Sequence, residues 1–453
     1  MDEQTRELPQ KYHQAVVHWQ QHNFPDYPAL VESWDRFFPK DPPFCLCARI
    51  GQVASDVVEY GDRKGQPKAT KPTDMDERAA KELFNTVKAQ ASTEFGSIQQ
   101  HQGTLARAYD DQDRAWVLRV MAEELRHGYQ MVHLITNEDW SAVSGEKADD
   151  TVEHILSSQT GSHYFAAFNL EFDSFLDNIM FAAFIDRVGK YQLTMQKVSA
   201  YRPYAESMPP MLREEAFHLA AGVMPLRRWV ERAAKGDPLV TMAAMQKAAN
   251  KWFVRGLEMF GFEKEPFSSA QVNLGLKDRT NADAQQQWID ECAQMLGDLS
   301  RRYVRARLPG KTPEEIDAIQ QRLAAGETVE GIAPEEMLRL PDRRFFRRSF
   351  DGAYEMVGIG GETFADVDAY VAHLAEHLPE AYLASRDMRH YIENLRKVVA
   401  GELTVKQAVK NTPKLQRLGS TCPCSNSVRW VIDTDVARLR PQAPDERAPR
   451  LLP

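Results

Sequence analysis

Four predicted amphipathic helices, each with a carboxylate on its apolar face, constrain this chain more than any other feature. Apolar residues recur every three or four positions around Glu94, Glu124, Asp186 and Glu215, the spacing of a helix that faces a bundle core. A buried carboxylate without a partner costs several kcal/mol. Four of them in one core would not stay ionised without a compensating positive charge.

Two histidines accompany these carboxylates. His127 follows Glu124 by three residues and His218 follows Glu215 by three, so each pair projects from one helix face. The carboxylates are separated by 30 residues in the first half and 29 in the second, so each half forms a hairpin of nearly equal arms. Two carboxylates and two E-x-x-H motifs on four helices are the ligand set of a dimetal site. A set of interhelical ion pairs is the structural alternative.

Helical periodicity extends well beyond these four segments, and strand signals are scarce, so the predicted class is all-α with a ferritin-like four-helix bundle. Helices are predicted at 77–108, 113–136, 150–160, 168–199, 209–234, 239–260, 284–306, 311–325, 365–378, 386–400 and 404–410, with a strand or two in 343–359. The proline pair Pro209-Pro210 is expected to precede the helix at 209–234. The expected domains are an irregular N-terminal arm with one or two helices (1–75), the bundle (76–235), additional packing helices (236–310) and a C-terminal extension (311–453).

Composition excludes several classes of function. The formal net charge of −9 provides no basic surface for nucleic acid. No apolar run approaches the length of a transmembrane helix, and the polar start Met1-Asp-Glu-Gln is not a secretory signal. The expected location is the cytoplasm, without membrane or nucleic-acid partners; a homodimer is an open expectation.

Four carboxylates and two imidazoles suit iron or manganese. Small residues crowd the ligands, and Gly189 is a candidate site for a π-bulge or for space around metal, dioxygen and substrate. Close helix packing is the alternative. Tyr129 and Tyr191 raise the option of a radical generator, and His101 is a candidate outer partner of Glu94 or an ordinary core histidine.

The ligand motifs resemble those of the di-iron aromatic acyl-CoA epoxidases. The resemblance lies in Glu94, in Met121-Ala-Glu-Glu-Leu-Arg-His127, in Asp186-Arg-Val-Gly-Lys-Tyr-Gln192 and in Leu212-Arg-Glu-Glu-Ala-Phe-His218. It covers about residues 80–235, and Asp186 favours the benzoyl-CoA branch over the phenylacetyl-CoA branch.

This resemblance implies a monooxygenase with two iron ions that epoxidises the ring of an aromatic acyl-CoA with dioxygen. Electrons would come from NADPH through a separate flavin/iron–sulfur reductase. The six ligands carry over one by one as Glu94, Glu124, His127, Asp186, Glu215 and His218. The CoA contacts do not carry over; Arg187, Lys190 and Lys197 are candidates for its phosphates because they follow Asp186 and are basic.

Other interpretations stay open at this stage. The substrate could be another acyl compound or an amine, or the chain could be a non-catalytic ferritin-like partner subunit. The C-x-C pairs Cys45/Cys47 and Cys422/Cys424 could form a zinc site. The run His373-Leu-Ala-Glu-His377 spells the motif of inverted zinc peptidases, although a solvated helix produces the same pattern.

Overall fold

A computed structural model of the chain describes residues 4–160, 162–260 and 266–340, with a few isolated positions beyond them. The all-α class is confirmed. The first half contains β1 Gln4–Arg6, α1 Gln10–Asn23, α2 Tyr27–Glu32, α3 Trp34–Phe37, β2 Ala48–Ile50, α4 Glu77–Thr104, α5 Asp111–Thr136, α6 Ser141–Ser144 and α7 Ala148–Ser157. The second half contains α8 Phe175–Phe181, a π-helical segment Ala182–Asp186, α9 Arg187–Gln196, α10 Arg202–Ala234, α11 Met242–Met259, α12 Pro266–Asn273, α13 Asn281–Arg307, α14 Pro313–Ala324, β3 Met356–Val357 and β4 Thr363–Phe364.

Local side-chain caps fix where the first two bundle helices begin. The Asp76 carboxylate accepts a hydrogen bond from the Ala79 N–H at 3.1 Å at the start of α4. Asp110 does the same for the Asp113 N–H at 2.7 Å at the start of α5. Each cap pairs an N–H that has no partner inside its helix, which stabilises the helix by about 1 kcal/mol.

The bundle consists of α4, α5, the continuous rod α8–π–α9, and α10. α4 packs along α5, and the rod packs along α10, which also contacts α5. This is the ferritin-like four-helix arrangement expected from the sequence. α11 covers α8 and the π-helical segment, and α13 packs on α9 and α10, so the bundle core is closed on that side by additional helices.

Glycine permits a close helix contact in the bundle. A Cβ on Gly222 of α10 would lie 2.4 Å from the backbone nitrogen of Ala183 in the π-helical segment. Any larger residue at this position would push the two helices apart. For Gly222, close packing therefore explains the small residue.

The N-terminal arm is more ordered than the sequence suggested. It contains three helices, and β1 pairs antiparallel with β2, with Thr5 opposite Arg49. Gly51, just after β2, donates its N–H to the Glu206 carbonyl of α10 at 2.8 Å. That carbonyl has no intrahelical donor because Pro210 lacks an N–H, and a Cβ on Gly51 would lie 2.8 Å from the Pro210 ring. The N-terminal arm thus supplies the hydrogen bond that Pro210 cannot donate inside α10.

This contact explains one error of the sequence prediction. Pro209 and Pro210 lie inside α10, which begins eight positions before Pro210, at Arg202, with Pro203 in its first turn. The third bundle helix was also placed wrongly, since it begins at Phe175 rather than at 168. Ser174 and Asp177 form a capping box there. The short helix α12 was not predicted.

The remaining C-terminal predictions can be compared only in part. The strands β3 and β4 pair antiparallel, and β3 lies within the segment 343–359 predicted to contain a strand. The helices predicted at 365–378, 386–400 and 404–410 lie outside the described residues, apart from isolated positions. Within the described part of the chain, the helices are all too short or too polar to cross a membrane.

Candidate metal centre

The six residues singled out from the sequence meet in the bundle core. Glu94 comes from α4, and Glu124 and His127 come from α5. Asp186 ends the π-helical segment, one of the rare π-turns that occur often at functional sites. Glu215 and His218 come from α10, and all six side chains are buried.

Two groups of donor atoms form within this cluster. Glu94, Glu124 and His127 have ligand atoms within 4.8 Å of one another, and so do Glu124, Asp186 and His218. His127 Nδ1 lies 3.5 Å from Glu124 and 4.0 Å from Glu215, and His218 Nδ1 lies 3.6 Å and 3.7 Å from the same two carboxylates. Glu124 and Glu215 therefore lie between the imidazoles, with Glu94 on the His127 side and Asp186 on the His218 side.

The donor atoms that face each other have no hydrogen-bond partner. The orphaned buried atoms that face one another are Glu124 Oε2, His127 Nδ1, Asp186 Oδ2, Glu215 Oε2 and His218 Nδ1, and on the outer side Glu123 Oε2 and His218 Nε2 are orphaned too. Burying a polar group without a partner costs about 1–3 kcal/mol, and more when the group is charged. Oxygen and nitrogen donors that converge in this way fit a pair of divalent cations, with carboxylates from four helices and one imidazole on each side.

The carboxyl groups of the cluster have strongly perturbed pKa values. Burial and, to a lesser extent, the Glu124 charge raise the pKa of Asp186 to about 8. Burial and the same Glu124 charge raise the pKa of Glu215 to about 8 against the opposing effect of His218. Burial also raises the pKa of Glu94 far above its usual range. Burial opposes ionisation of Glu124 too, but its hydrogen bonds with Glu94 and His127 lower its pKa to about 2.

The pKa values of the two imidazoles are raised, whereas burial alone would lower the pKa of a histidine. Burial lowers the pKa of His127, but the Glu124 and Glu214 carboxylates beside the ring outweigh this effect and bring the pKa to about 10. Burial and the Glu123 contact act in the same way on His218, whose pKa is about 9. Protonated imidazoles among carboxyl groups balance charge as a dication would, and metal binding displaces such protons.

Two outer carboxylates that the sequence analysis missed lie beside the imidazoles. Glu214 Oε2 is hydrogen-bonded to His127 Nε2 at 2.9 Å, and Glu123 Oε2 lies 3.2 Å from His218 Nε2 without hydrogen-bond geometry. Each outer carboxylate precedes an inward-facing glutamate on one helix and contacts the histidine of the other helix. Such partners fix the orientation of a ligating imidazole and raise its basicity. The sequence signal was the doublet Glu-Glu in both motifs.

A cavity of about 160 Å³ adjoins the cluster on the side of α4 and α9. Its inner end is formed by Glu94, Glu124, Asp186, Glu215 and Gly189. An apolar wall follows, made of Phe165, Phe168, Ile185, Leu193 and Met259. A polar wall carries Asn85, Thr86, Gln90, Gln192, Gln196, Gln271, Lys277 and Asn281. A Cβ at Gly189 would lie 3.2 Å from Glu215 Oε1, so this glycine keeps the approach to the cluster open.

The three basic residues proposed for CoA do not line this cavity. Arg187 and Lys190 both contact Glu291 of α13, each at 2.8 Å. Lys197 is exposed after the end of α9. Their role in phosphate binding stays a prediction, and Lys277 is the cationic side chain in the cavity wall itself.

Both tyrosines near the ligands are engaged in hydrogen bonds. The Tyr129 hydroxyl accepts from the Leu8 N–H at 2.8 Å and lies 3.0 Å from His13 Nδ1. Burial and its hydrogen bond to Glu291 raise the pKa of Tyr191. Tyr129 thereby anchors the N-terminal arm, which accounts for its burial without radical chemistry.

The other candidate residues fall outside the cluster. His101 Nδ1 lies 2.7 Å from Asn178 Oδ1 and packs against Phe172 and Phe181, the environment of a core histidine. Cys45 is exposed and Cys47 is buried. The second cysteine pair, Cys422/Cys424, and the motif His373 to His377 lie outside the described residues.

The fold and the cluster define a ferritin-like helical protein with a buried carboxylate–histidine centre. The sequence model of the phenylacetic acid catabolic protein family matches residues 67–303, more than half of the chain. The chain belongs to this family.

A curated relative has a named activity. Over 246 residues the chain is 25% identical to "Benzoyl-CoA oxygenase component B" of Aromatoleum evansii. The alignment covers 50% of this chain and 50% of the relative, so the chain spans about half the length of the curated protein it matches.

Proposed function

We propose that this chain is the oxygenase component of a di-iron monooxygenase that epoxidises the ring of an aromatic acyl-CoA thioester. The observation that carries the proposal is the buried set of unpaired donor atoms at the end of a cavity. The benzoyl-CoA oxygenase component among its relatives supports the substrate class.

Six inner residues would bind the metal ions, and two outer carboxylates lie behind the histidines. Glu94, Glu124, His127, Asp186, Glu215 and His218 would together hold the two iron ions, with His127 and His218 on opposite sides of the cluster. Bound as ferrous ions, the pair would supply two electrons for the reduction of dioxygen. Glu214 keeps Nδ1 of His127 directed at the cluster through its hydrogen bond with Nε2, and the Glu123 carboxylate lies 3.2 Å from Nε2 of His218.

The proposed reaction places one oxygen atom across a ring double bond, and the other leaves as water. This balance needs two electrons, which NADPH would deliver through a separate flavin/iron–sulfur reductase, and two protons, one from NADPH and one from solvent. A partner reductase agrees with the word "component" in the name of the relative.

The apolar wall would position the ring. Phe165, Phe168 and Ile185 lie at the cavity surface close to Asp186, and Gly189 leaves the space beside Glu215 free. Apolar walls with a few directing polar groups are typical of sites for small organic ligands. They also exclude water from the reacting end, which protects a reactive product from hydrolysis.

The polar wall would hold the pantetheine arm of CoA. The carboxamides of Gln90, Gln192, Gln196 and Asn281 line the cavity, and carboxamides both donate and accept, as amides of the arm require. Along α4 the cavity extends from Glu94 to Glu82, about 18 Å at the rise of an α-helix. The Lys277 ammonium group in this wall would form an ion pair with a phosphate of CoA.

Two alternatives are a non-catalytic partner subunit and an oxygenase for a different substrate. A non-catalytic partner subunit would have no reason to retain six buried donors beside a cavity, since their burial lowers stability. A different acyl or amine substrate remains compatible with the metal centre, because the shape of the pocket sets the substrate.

The test is Mössbauer spectroscopy of iron-reconstituted protein under dioxygen, with and without benzoyl-CoA. About two coupled ferrous ions per chain, oxidised faster in the presence of the thioester, are expected. In the presence of benzoyl-CoA and a reductase, an oxygenated CoA product should appear by mass spectrometry, whereas NADPH alone should produce none. If two irons bind but benzoyl-CoA does not change their rate of oxidation, this substrate is excluded and the assignment of the metal centre stands.

Variants separate the metal ligands from general effects of mutation. Glu124→Ala and His218→Ala should reduce iron well below two per chain while the helical content is kept. Glu206→Ala is a matched control, because Glu206 is a carboxylate of the same helix as His218 but pairs with Arg202. Full iron content in both ligand variants would contradict the assignment.

A further inference from the structure

One wall of the cavity belongs to the loop between α7 and α8, and hydrogen bonds from α4 hold this loop in place. Gln100 Nε2 donates to the carbonyl oxygens of Ala167 and Leu170 at 2.7 Å and 2.6 Å. The cavity is lined by three residues of the same loop, Tyr164, Phe165 and Phe168. This aromatic wall is therefore positioned by α4, the helix that also carries Glu94.

A buried histidine fixes the start of the aromatic wall. The Gln99 amide donates from Nε2 to the Ser158 carbonyl at 3.1 Å, so its Oε1 accepts from His163 Nε2 at 2.9 Å. Burial lowers the pKa of His163 to about 3, so the ring is neutral and its Nδ1 accepts from the Ser92 hydroxyl at 3.1 Å. The Ser92 oxygen in turn accepts from the Tyr164 N–H at 3.4 Å. Tyr164 is thus held against α4.

Gly96 of α4 makes room for this histidine. A Cβ at Gly96 would lie 3.0 Å from both Cγ and Cδ2 of His163, which is closer than van der Waals contact. The imidazole therefore packs against the helix backbone two residues after Glu94. This small residue near the ligands serves the position of the loop.

The hydroxyl group of Tyr164 is unpaired. Within the described part of the chain it has no hydrogen-bond partner, although the residue is only 8% exposed and lines the cavity. A buried hydroxyl without a partner lowers stability by about 1–3 kcal/mol. Burial and the Glu146 carboxylate raise the pKa of this phenol above its usual value, so it keeps its proton and can donate it to a ligand.

We infer that the Tyr164 hydroxyl donates a hydrogen bond to a carbonyl oxygen of the bound acyl-CoA. Ser92, which holds the Tyr164 N–H, precedes Glu94 by two residues, or about 3 Å along α4. Tyr164 therefore belongs to the part of the cavity near the reacting acyl group. The thioester and the amides of the pantetheine arm both offer carbonyl oxygens as acceptors. The inference rests on the proposed function in that the ligand is an acyl-CoA.

Calorimetry with benzoyl-CoA and metal-free protein tests this inference, because it measures binding without turnover. Tyr164→Phe removes the hydroxyl and keeps the ring, so it should weaken binding about fivefold. Tyr109→Phe is the matched control. Tyr109 is half-buried, packs against Phe175 and Trp229, and lies outside the cavity wall, so this variant should bind as the unchanged protein does.

A thioether analogue identifies the carbonyl group. S-Benzyl-CoA lacks the thioester oxygen and keeps the amides of the pantetheine arm. If Tyr164→Phe weakens the binding of benzoyl-CoA alone, the thioester carbonyl is the acceptor. If it weakens the binding of both ligands equally, the acceptor is an amide carbonyl of the arm. Either result supports the inference.

Ser92→Ala tests how the tyrosine is held. Loss of the Ser92 oxygen removes the acceptor of the Tyr164 N–H and should weaken binding of benzoyl-CoA about twofold. The double variant should bind no more weakly than Tyr164→Phe, because Ser92 acts through Tyr164 and the two effects are not additive. Circular dichroism establishes that each variant is folded.

The outcomes distinguish this inference from the proposed function. Unchanged or tighter binding of benzoyl-CoA by Tyr164→Phe would overturn the inference, while the proposed substrate class stands. An equal loss in Tyr109→Phe would overturn it as well, since the effect would not depend on the cavity. If the unchanged protein does not bind benzoyl-CoA, the proposed substrate class is wrong and the inference fails with it.

Discussion

Two buried polar clusters in this molecule have opposite hydrogen-bonding states. At the start of α8, the buried Asp177 carboxylate is paired on both oxygens: it accepts from Trp252 Nε1 at 2.7 Å and from the Asp173 N–H at 2.7 Å. Lys251 adds an ion pair to Asp173 at 3.0 Å. In the metal cluster, five facing donor atoms have no partner.

The difference separates polar groups that hold the fold together from polar groups kept for a ligand. A fully hydrogen-bonded polar network stabilises the folded protein, and removing one member destabilises the protein. An unsatisfied one lowers stability and is retained only if something else binds there. Stability and metal content should therefore respond in opposite ways to mutation of the two clusters.

The largest effect is expected at the satisfied cluster. Asp177→Ala would leave the Trp252 Nε1–H and the Asp173 N–H without their acceptor, while Lys251 keeps its ion pair with Asp173, and should lower the free energy of unfolding by about 3 kcal/mol. Chemical denaturation of metal-free protein measures this change. The folded fraction should still take up iron, and a loss below 1 kcal/mol would remove the contrast between the clusters.

Two kinds of buried histidine should affect the stability of the protein differently at low pH. Burial lowers the pKa of His101 to about 4 and that of His133 to about 4, both below the value near 6.5 of the unfolded chain. The unfolded state therefore binds these protons first, and stability should fall as the pH drops from about 6.5 to 4. The loss is on the order of 2–3 kcal/mol per histidine.

Denaturation at pH 6 and pH 5 measures part of this loss. His133→Gln should flatten the dependence, because glutamine cannot take up the proton. His127 and His218, whose pKa values are raised to about 10 and 9, are protonated in both states below pH 6 and should not contribute there. An unchanged slope in His133→Gln would contradict this division.

At the metal cluster, a neutral substitution should stabilise the metal-free protein. Glu215→Gln keeps the shape of a buried side chain whose pKa is raised to about 8, and should raise the free energy of unfolding by about 1 kcal/mol. The same variant should lose iron. Glu206→Gln is the matched control, and destabilisation by Glu215→Gln would argue for a structural ion-pair network.

The smallest effect concerns the candidate phosphate contacts. Lys277→Gln should raise the KM for acyl-CoA several fold, since Lys277 lines the cavity. Arg187→Gln should change KM less and lower stability by about 1 kcal/mol, because its guanidinium pairs with Glu291. A larger KM effect of Arg187 or Lys190 would restore them as substrate contacts.

The sequence was sufficient for the bundle and for the six inner donors, because helical periodicity and E-x-x-H spacing are local properties. The predicted helices 77–108 and 113–136 agree with α4 and α5 within a few residues. The prolines inside α10 misled the prediction, because the compensating donor, the Gly51 N–H, lies far away in the sequence.

The outer network could not be predicted for the same physical reason. Glu123 and Glu214 were visible as second glutamates in each motif, but their partners cross between helices and, for Arg49 and Asp41, come from the arm. The π-turn that carries Asp186 was expected near Gly189 and occurs just before it, at Ala182–Asp186. Such contacts depend on tertiary packing rather than on local spacing.

The central claim is that Glu94, Glu124, His127, Asp186, Glu215 and His218 hold two iron ions. A crystal structure of iron-reconstituted protein, with anomalous data collected at the iron edge, tests it most directly. Two anomalous peaks should appear between Glu124 and Glu215, one beside each imidazole Nδ1. An empty cluster, or metal bound only at the cysteine pairs, would contradict the account.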